Sequence, residues 1–295
     1  EGSRGLGDVY KRQVDGCRVV ITGGASGIGL AIARQLADCG CQIVLADVDA
    51  AALTICAYER GSFHTFVCDV TQQDALEALA DFSWATLGGV DLVFANAGVG
   101  LPLRPLLHQT EAHARWVMEV NHFGVWHTLQ TFGPRLIEQG SQCHVVVTGS
   151  ENSIAVPAPL LGAYNASKHA VLGLTETFDR ETPDFLGVSL LCPALVATNI
   201  AASVARIPDE FGGPETFSGG GPALGFSPEH VAEHAISGVE AGDFHIFTHN
   251  RNRNMISERL SAQLNAIDRQ TQPGDGSNAC NTRSLLGRLF DQIVA

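Results

Sequence analysis

Seven short apolar runs recur along the chain: CRVVIT (Cys17–Thr22), CQIVLA (Cys41–Ala46), HTFVC (His64–Cys68), VDLVFA (Val90–Ala95), HVVVT (His144–Thr148), GVSLLC (Gly187–Cys192) and FHIF (Phe244–Phe247). They are continuous rather than strictly alternating, which is the pattern of strands covered on both faces. Between them lie stretches with helical spacing, such as Ile28, Ala31, Ile32, Gln35, Leu36 and Leu76, Leu79, Ala80. Alternation of this kind predicts an α/β fold: one doubly wound, Rossmann-like parallel sheet with helices on both faces. A length of 295 residues suits one large domain with appendages.

The appendages lie at the two ends. Ser3–Gln13, SRGLGDVYKRQ, resembles the in-frame translation of a transposase sequencing adapter, so residues 1–13 are set apart as a non-native tail. Residues 14–270 are expected to form the main domain. A Gly/Pro-rich stretch, Pro208–Pro228, breaks its rhythm late, and helices are expected at 228–241 and 253–267. Residues 271–295 read as a Gly/Asn/Ser linker and a short amphipathic helix, Leu285–Val294.

Charge and cysteine content narrow the function classes. A net charge of −13 without a separate basic patch argues against nucleic acid and anionic lipid as partners. Phe185–Ala205 carries no charge over 21 residues, enough for a membrane span of about 20, but Pro193, Asn199 and several Ser and Thr residues interrupt it. A buried strand, a turn and a helix start account for it better. The eight cysteines form no C-x-x-C pair and mostly lie in apolar runs, as reduced core residues of a cytoplasmic protein do.

The first chemical motif is T-G-x-x-x-G-x-G, with Thr22, Gly23, Gly27 and Gly29. It follows a strand and opens a helix, so a pyrophosphate could approach the backbone at the positive helix N-terminus. Asp47 ends the second strand eighteen residues after Gly29, close to the spacing of about 20 at which a carboxylate accepts ribose hydroxyls. Neither Ala25 nor Val48-Asp49 offers a cation for a 2′-phosphate, which favours NAD over NADP.

The second motif is Tyr164-Asn-Ala-Ser-Lys168. Positions i and i+4 share a helix face, so phenol and ammonium point into one cleft. A nearby ammonium should lower the phenol pKa from about 10. Outside residues 1–13, Lys168 is the one lysine beside fourteen arginines, which suggests that a compact point charge is required there.

Together with these, TGGASGIG (which includes Ser26 and Ile28), Cys68-Asp69-Val70, Asn96-Ala97-Gly98, Asn121, Ser150 and Pro193-x-x-Val196-x-Thr198 fall in an order that resembles the short-chain dehydrogenase/reductase family over roughly Gly16–Phe247. The resemblance implies that Asp69 and Val70 flank adenine and that Asn96, Ala97 and Gly98 line the cofactor cleft. Pro193, Val196 and Thr198 would meet the nicotinamide end, with Thr198 at the carboxamide. It also implies a catalytic set. Tyr164 would exchange the proton, Ser150 would bind the reacting oxygen, Lys168 would hold the nicotinamide ribose and tune the phenol, and Asn121 would anchor a relay water. Two departures stand out: Ser150 precedes Tyr164 by one residue more than the family spacing, and Pro193-Ala194 replaces Pro-Gly. The extra residue leaves Ser153 as a rival for the serine role, with Ser153 expected to point toward the lid.

The expected activity is therefore an NAD-dependent hydride transfer to or from a secondary alcohol or ketone; a catalytically silent NAD-binding module is the alternative. The lid Asn199–Phe226 carries Ile200, Val204, Ile207, Phe211, Phe217 and Phe226, and Val156, Pro157, Leu160 and Leu161 precede Tyr164. An apolar pocket and a hydrophobic substrate follow. His230 and His234 share a helix face but have no third ligand, so no metal is expected and an exposed face is the better reading. Gly149-Ser150 is not a G-x-S-x-G elbow, which argues against a serine hydrolase. His122 reads as a cleft-wall or packing residue. Helices near 112–138 and 162–182 are those that pair in the resembling family, so a homodimer or homotetramer is expected.

Overall fold

The computed structural model describes residues 14–59, 63–155, 157–216 and 225–270; the adapter-like segment, Val156, Phe217 and the segment after Gln270 lie outside the described residues. The chain divides after Asn252 into two units. In the first, seven parallel strands form one sheet in the order β3-β2-β1-β4-β5-β6-β7. They are β1 (Arg18–Thr22), β2 (Gln42–Asp47), β3 (Phe63–Val67), β4 (Leu92–Ala95), β5 (Cys143–Thr148), β6 (Leu186–Cys192) and β7 (His245–Phe247). The helices are α1 (Gly27–Asp38), α2 (Ala50–Glu59), α3 (Gln73–Leu87), α4 (Glu111–Met118), α5 (Gly124–Gln139), α6 (Gly162–Glu181) and α7 (Pro228–Ala241). In the second unit, α8 (Arg253–Gln270) has no buried residue.

Alternate residues of one strand go to opposite cores, which is why the runs are apolar throughout. Val19 and Ile21 pack with Ile32 and Leu36 of α1 and Val231 and Ala235 of α7, whereas Val20 packs with Leu76 and Leu79 of α3 and Phe132 of α5. All of these residues are essentially inaccessible. The strand order reverses between β1 and β4, and in such sheets the crevice beyond the carboxyl ends at that point takes the ligand. The register aligns Thr22 with Ala46 and Thr148 with Leu191. Chemical groups at the strand ends therefore emerge on one rim.

The expected strands differ from the observed ones by one or two residues at their ends. The expected helix near 112–138 is α4 and α5 joined by a π turn, Glu119–Phe123. After β6 the chain enters a lid of short 3₁₀ turns, Asn199–Arg206 and Asp209–Phe211. Seven described cysteines are outside any disulfide, five of them buried.

Candidate active site

The crevice is built around Thr22. Its hydroxyl donates to Phe94 O at 3.2 Å and accepts from Asn96 N at 3.0 Å and Ala97 N at 3.2 Å, tying the ends of β1 and β4 together. Asn96 returns the bond, its Nδ2 donating to Thr22 O and Gly23 O at 3.1 and 3.2 Å. Gly23 has φ 63°, and a Cβ on it would lie 2.8 Å from Ala97 Cα. A Cβ on Gly29 would lie 2.4 Å from Gly23 O, so only glycine lets the first turn of α1 close on the loop. Ser26 at the N-cap makes no side-chain bond to that turn, which leaves the first N–H groups of α1, including those of Ile28 and Gly29, for a ligand. Such a cradle fits a pyrophosphate. Thr198, whose hydroxyl caps the first lid turn, sits against Gly27, and a cavity of about 180 Å³ opens beside them.

At the end of β2, Asp47 accepts from Ala25 N and Asp49 N, both at 3.1 Å, one on each carboxylate oxygen. Each oxygen keeps a lone pair for a ribose hydroxyl. Arg206 reaches this corner from the lid but is paired with Asp49 at 2.9 Å. Beside it, Asp69 folds into a turn by accepting from Thr71 N and Oγ1, and Val70 packs into the space left by Gly124. Pro193 O accepts from Glu151 N at 2.8 Å, and Val196 is buried in a bridge to Phe226.

The second cluster lies where β5 meets α6. The Ser150 side chain faces the Tyr164 phenol. Lys168, 3% exposed, donates to Thr148 O at 2.8 Å, with Nζ 5.9 Å from the centre of the Tyr164 ring. Thr148 Oγ1 donates in turn to Asn96 Oδ1 at 3.1 Å, joining the two clusters. Burial acts on both charges alike. It pushes the Tyr164 phenol above its usual 10, an effect that nearby Ser150 opposes and the Glu151 carboxylate reinforces, and it lowers the Lys168 ammonium to about 8. The expectation of a lowered phenol pKa is thus reversed in the free protein, because spacing reveals the ammonium but not the dryness of the cleft.

Ser153 also departs from expectation. Its side chain does not point toward the lid; it is buried and accepts from Ser150 N at 3.1 Å, while Ser150 Oγ accepts from Asn152 N at 3.2 Å. Ser153 shapes the turn and Ser150 faces the phenol. Ser150→Ala is expected to lower turnover at least about tenfold, whereas Ser153→Ala should cost about 1 kcal/mol of stability with little change in turnover. Comparing kcat and thermal midpoints checks this, and the reverse ranking would move the role to Ser153.

Asn121 sits in the π turn, fully buried. Its Oδ1 accepts from Val99 N at 2.8 Å, and Nδ2 donates to Val99 O at 3.1 Å and Ser167 Oγ at 3.2 Å. Both amide hydrogens are committed to protein, so a single acceptor site on Oδ1 is all this amide offers a water. That oxygen and Lys168 Nζ both border Gly98.

The family model for short chain dehydrogenases matches residues 18–208. The chain belongs to that family. A 1-deoxy-11-beta-hydroxypentalenate dehydrogenase of Streptomyces arenae is 40% identical over 189 residues, covering 61% of this chain and 67% of its own. Secoisolariciresinol dehydrogenase of Forsythia intermedia is 31% identical over 231 residues, 76% of this chain and 83% of its own. A short-chain dehydrogenase/reductase from Burkholderia phymatum, solved in complex with NAD, superposes with a TM-score of 0.78 at 32% identity over 85% of this chain and 96% of its own. This short-chain dehydrogenase is an oxidoreductase by family.

Several of its contacts have no counterpart in the sequence reading. Glu151 pairs with His249 Nε2 at 3.3 Å and accepts from Asn252 Nδ2, linking the serine turn to the chain after β7. Glu215 ties the lid to Arg104 at 2.6 Å and to buried His113 at 3.4 Å. His230 and His234 do not form an exposed face: His230 Nε2 donates to Thr248 O at 2.9 Å, and its ring stacks on Phe226, as does that of His249. His122 is a packing residue, edge-on to Phe123 at 5.0 Å. Val204 and Ile207, expected to line a pocket, are buried with Leu101, Trp116 and Val117 in a small core against Tyr164. The pairings of Glu151 with His249 and of Glu215 with Arg104 and His113 join residues far apart in sequence, and the residue types alone carry no signal for them.

Proposed function

We propose that this short-chain dehydrogenase transfers a hydride between NAD and a hydrophobic secondary alcohol or ketone, with Tyr164 as the acid/base. The observation that carries the reading is buried Lys168, anchored on Thr148 O beside the Tyr164 ring with Ser150 facing the phenol, on the same rim as an uncapped, glycine-lined helix N-terminus. A bound nicotinamide dinucleotide supplies the hydride donor or acceptor. The rest belongs to the chain. Tyr164 gives a proton to the carbonyl oxygen in reduction or takes it from the alcohol in oxidation. Ser150 holds that oxygen against the phenol. Lys168, anchored on Thr148 O, keeps two further donors for ribose hydroxyls and the phenol, and Asn121 Oδ1 offers an acceptor for a relay water.

Asp47 supports NAD over NADP, since a fixed carboxylate accepts ribose hydroxyls and repels a 2′-phosphate. Arg206, the cation brought close by the lid, is neutralised by Asp49. Fluorescence titration should give tighter binding of NADH than of NADPH, and Asp47→Ala should narrow the difference at least about tenfold. Equal affinities in the parent protein would contradict the NAD assignment. A hydrophobic substrate is supported by the exposed rim of Leu103, Leu106, Leu160, Leu195 and Ile200, and by relatives named as dehydrogenases of a hydroxypentalenate and of secoisolariciresinol.

A homodimer or homotetramer belongs to the same proposal, supported by Phe123, Trp126 and Ile137, which are exposed at or along α5. Light scattering at micromolar concentration would show it, and a monomer would contradict it. A cytoplasmic setting is consistent with the cysteines outside any disulfide, and no helix among the described residues is long and apolar enough to cross a membrane.

A further inference from the structure

The helix that carries Tyr164 and Lys168 starts without a cap of its own. Leu161 at the N-cap of α6 has no side-chain acceptor for the N–H groups that a helix leaves open at that end. The approach to it is strained as well. Leu160 has φ 68°, the left-handed region that a residue with a branched side chain rarely adopts.

Gln109, which follows a short 3₁₀ turn (Leu106–His108) between β4 and α4, meets both needs. Its Oε1 accepts from Ala163 N at 3.0 Å, capping α6 from 54 residues away. Its Nε2 donates to Leu160 O at 3.0 Å and to Arg104 O at 2.9 Å, and Arg104 N donates to Leu160 O at 3.3 Å. Gln109 is itself held: its N–H donates to Leu106 O at 3.1 Å, and the next residue, Thr110, caps α4 by accepting from His113 N. The fit is close, since a Cβ on Gly162 would lie 2.6 Å from Leu106 Cδ1 and 3.1 Å from Gln109 Oε1.

We propose that Gln109 is a positioning residue for the reaction. By capping α6 one residue before Tyr164, and by holding Leu160 in its left-handed conformation, it sets where the phenol meets Ser150. The inference rests on the reading of Tyr164 as the acid/base. Displacement of a reacting group by about 1 Å is enough to lose on the order of 100-fold in rate.

The test compares Gln109→Ala, Gln109→Glu and Gln109→Ala with Leu160→Gly. The readouts are kcat, KM, NADH affinity by fluorescence, and the ionisation of Tyr164 taken as the tyrosinate absorbance difference from Tyr164→Phe. Three tyrosines in the chain make that difference readable. The phenol faces Ser150 and Glu151 of the β5 turn and Lys168 of its own helix, and otherwise packs on the apolar cluster with Val117, Val204 and Ile207.

Gln109→Ala should bind NADH within about twofold of the parent yet lose at least about tenfold in kcat. Its Tyr164 should ionise at lower pH as the loosened turn admits water. Adding Leu160→Gly should recover at least about threefold, because glycine adopts φ 68° without help. Gln109→Glu keeps the acceptor for Ala163 but sets a carboxylate against two carbonyls, so it should lose kcat as well. Parental kcat and phenol ionisation in Gln109→Ala would overturn the proposal. So would a joint loss of kcat and NADH binding that Leu160→Gly leaves unchanged, which would make Gln109 a stability residue only. If the parent protein itself showed no NAD-linked turnover, the reading of the site would fail, and the phenol ionisation would still decide the role of Gln109.

Discussion

Tyr164→Phe is expected to lower turnover by about 10²- to 10⁴-fold, the range that a positioned acid/base contributes, while leaving NADH affinity within about twofold of the parent. The ring packs against Leu101, Trp116, Val117 and Ile207, and phenylalanine keeps that packing. Only the hydroxyl that faces Ser150 is removed. In the free protein the phenol is held above its ordinary value, chiefly by burial, so at neutral pH it carries the proton that carbonyl reduction needs. Stopped-flow reduction of a hydrophobic ketone by NADH, with binding followed by fluorescence, separates chemistry from affinity. Turnover within about threefold of the parent would assign the proton to another group.

Lys168→Arg is expected to lose at least about 100-fold in turnover although it keeps the positive charge. The Lys168 ammonium is a compact donor of three hydrogen bonds in a site with almost no solvent, and one of the three is fixed on Thr148 O at 2.8 Å. A planar guanidinium cannot bond that carbonyl and also reach ribose hydroxyls without displacing Tyr164, whose ring centre lies 5.9 Å away. The pH profile carries a second signature. Lys168 titrates near 8 because burial disfavours its charge. The ammonium is present below that value and is lost as pH rises through it, so kcat/KM for NADH in ketone reduction, which reports the free enzyme, should fall above about pH 8. In Lys168→Arg this limb should vanish, since the guanidinium stays charged. Near-parental turnover would show that charge alone suffices at this position, and an unchanged limb would assign that limb to a group other than Lys168.

The parallel sheet was legible because burial on both faces leaves a mark that needs no long-range information: Val19, Val20 and Ile21 are all apolar since alternate residues enter different cores. The glycine turn and the Tyr164/Lys168 pair were legible because local spacing determines which backbone positions approach a ligand and which side chains share a helix face. α2 left no comparable mark. Its sequence, AAALTICAYE, is apolar nearly all round, so it shows no stripe although Leu53 and Cys56 are buried and Ile55 and Tyr58 exposed. The π turn at Glu119–Phe123 uses ordinary helical residues, and its extra residue per turn is invisible in composition. The choice between Ser150 and Ser153, the direction of the Tyr164 shift, and the cap from Gln109 all depend on groups brought together by the fold rather than by the chain. The pairing of Arg206 with Asp49 spans 157 residues and belongs to the same class.

The most direct measurement is the reduced-nicotinamide absorbance of the purified protein incubated with NAD and, separately, with NADP, across a panel of apolar secondary alcohols, primary alcohols and polyols. NADH formation is expected with apolar secondary alcohols, with a slower signal from NADP and no signal from Tyr164→Phe under the same conditions. Turnover confined to polyols, or an equal signal from Tyr164→Phe, would contradict it.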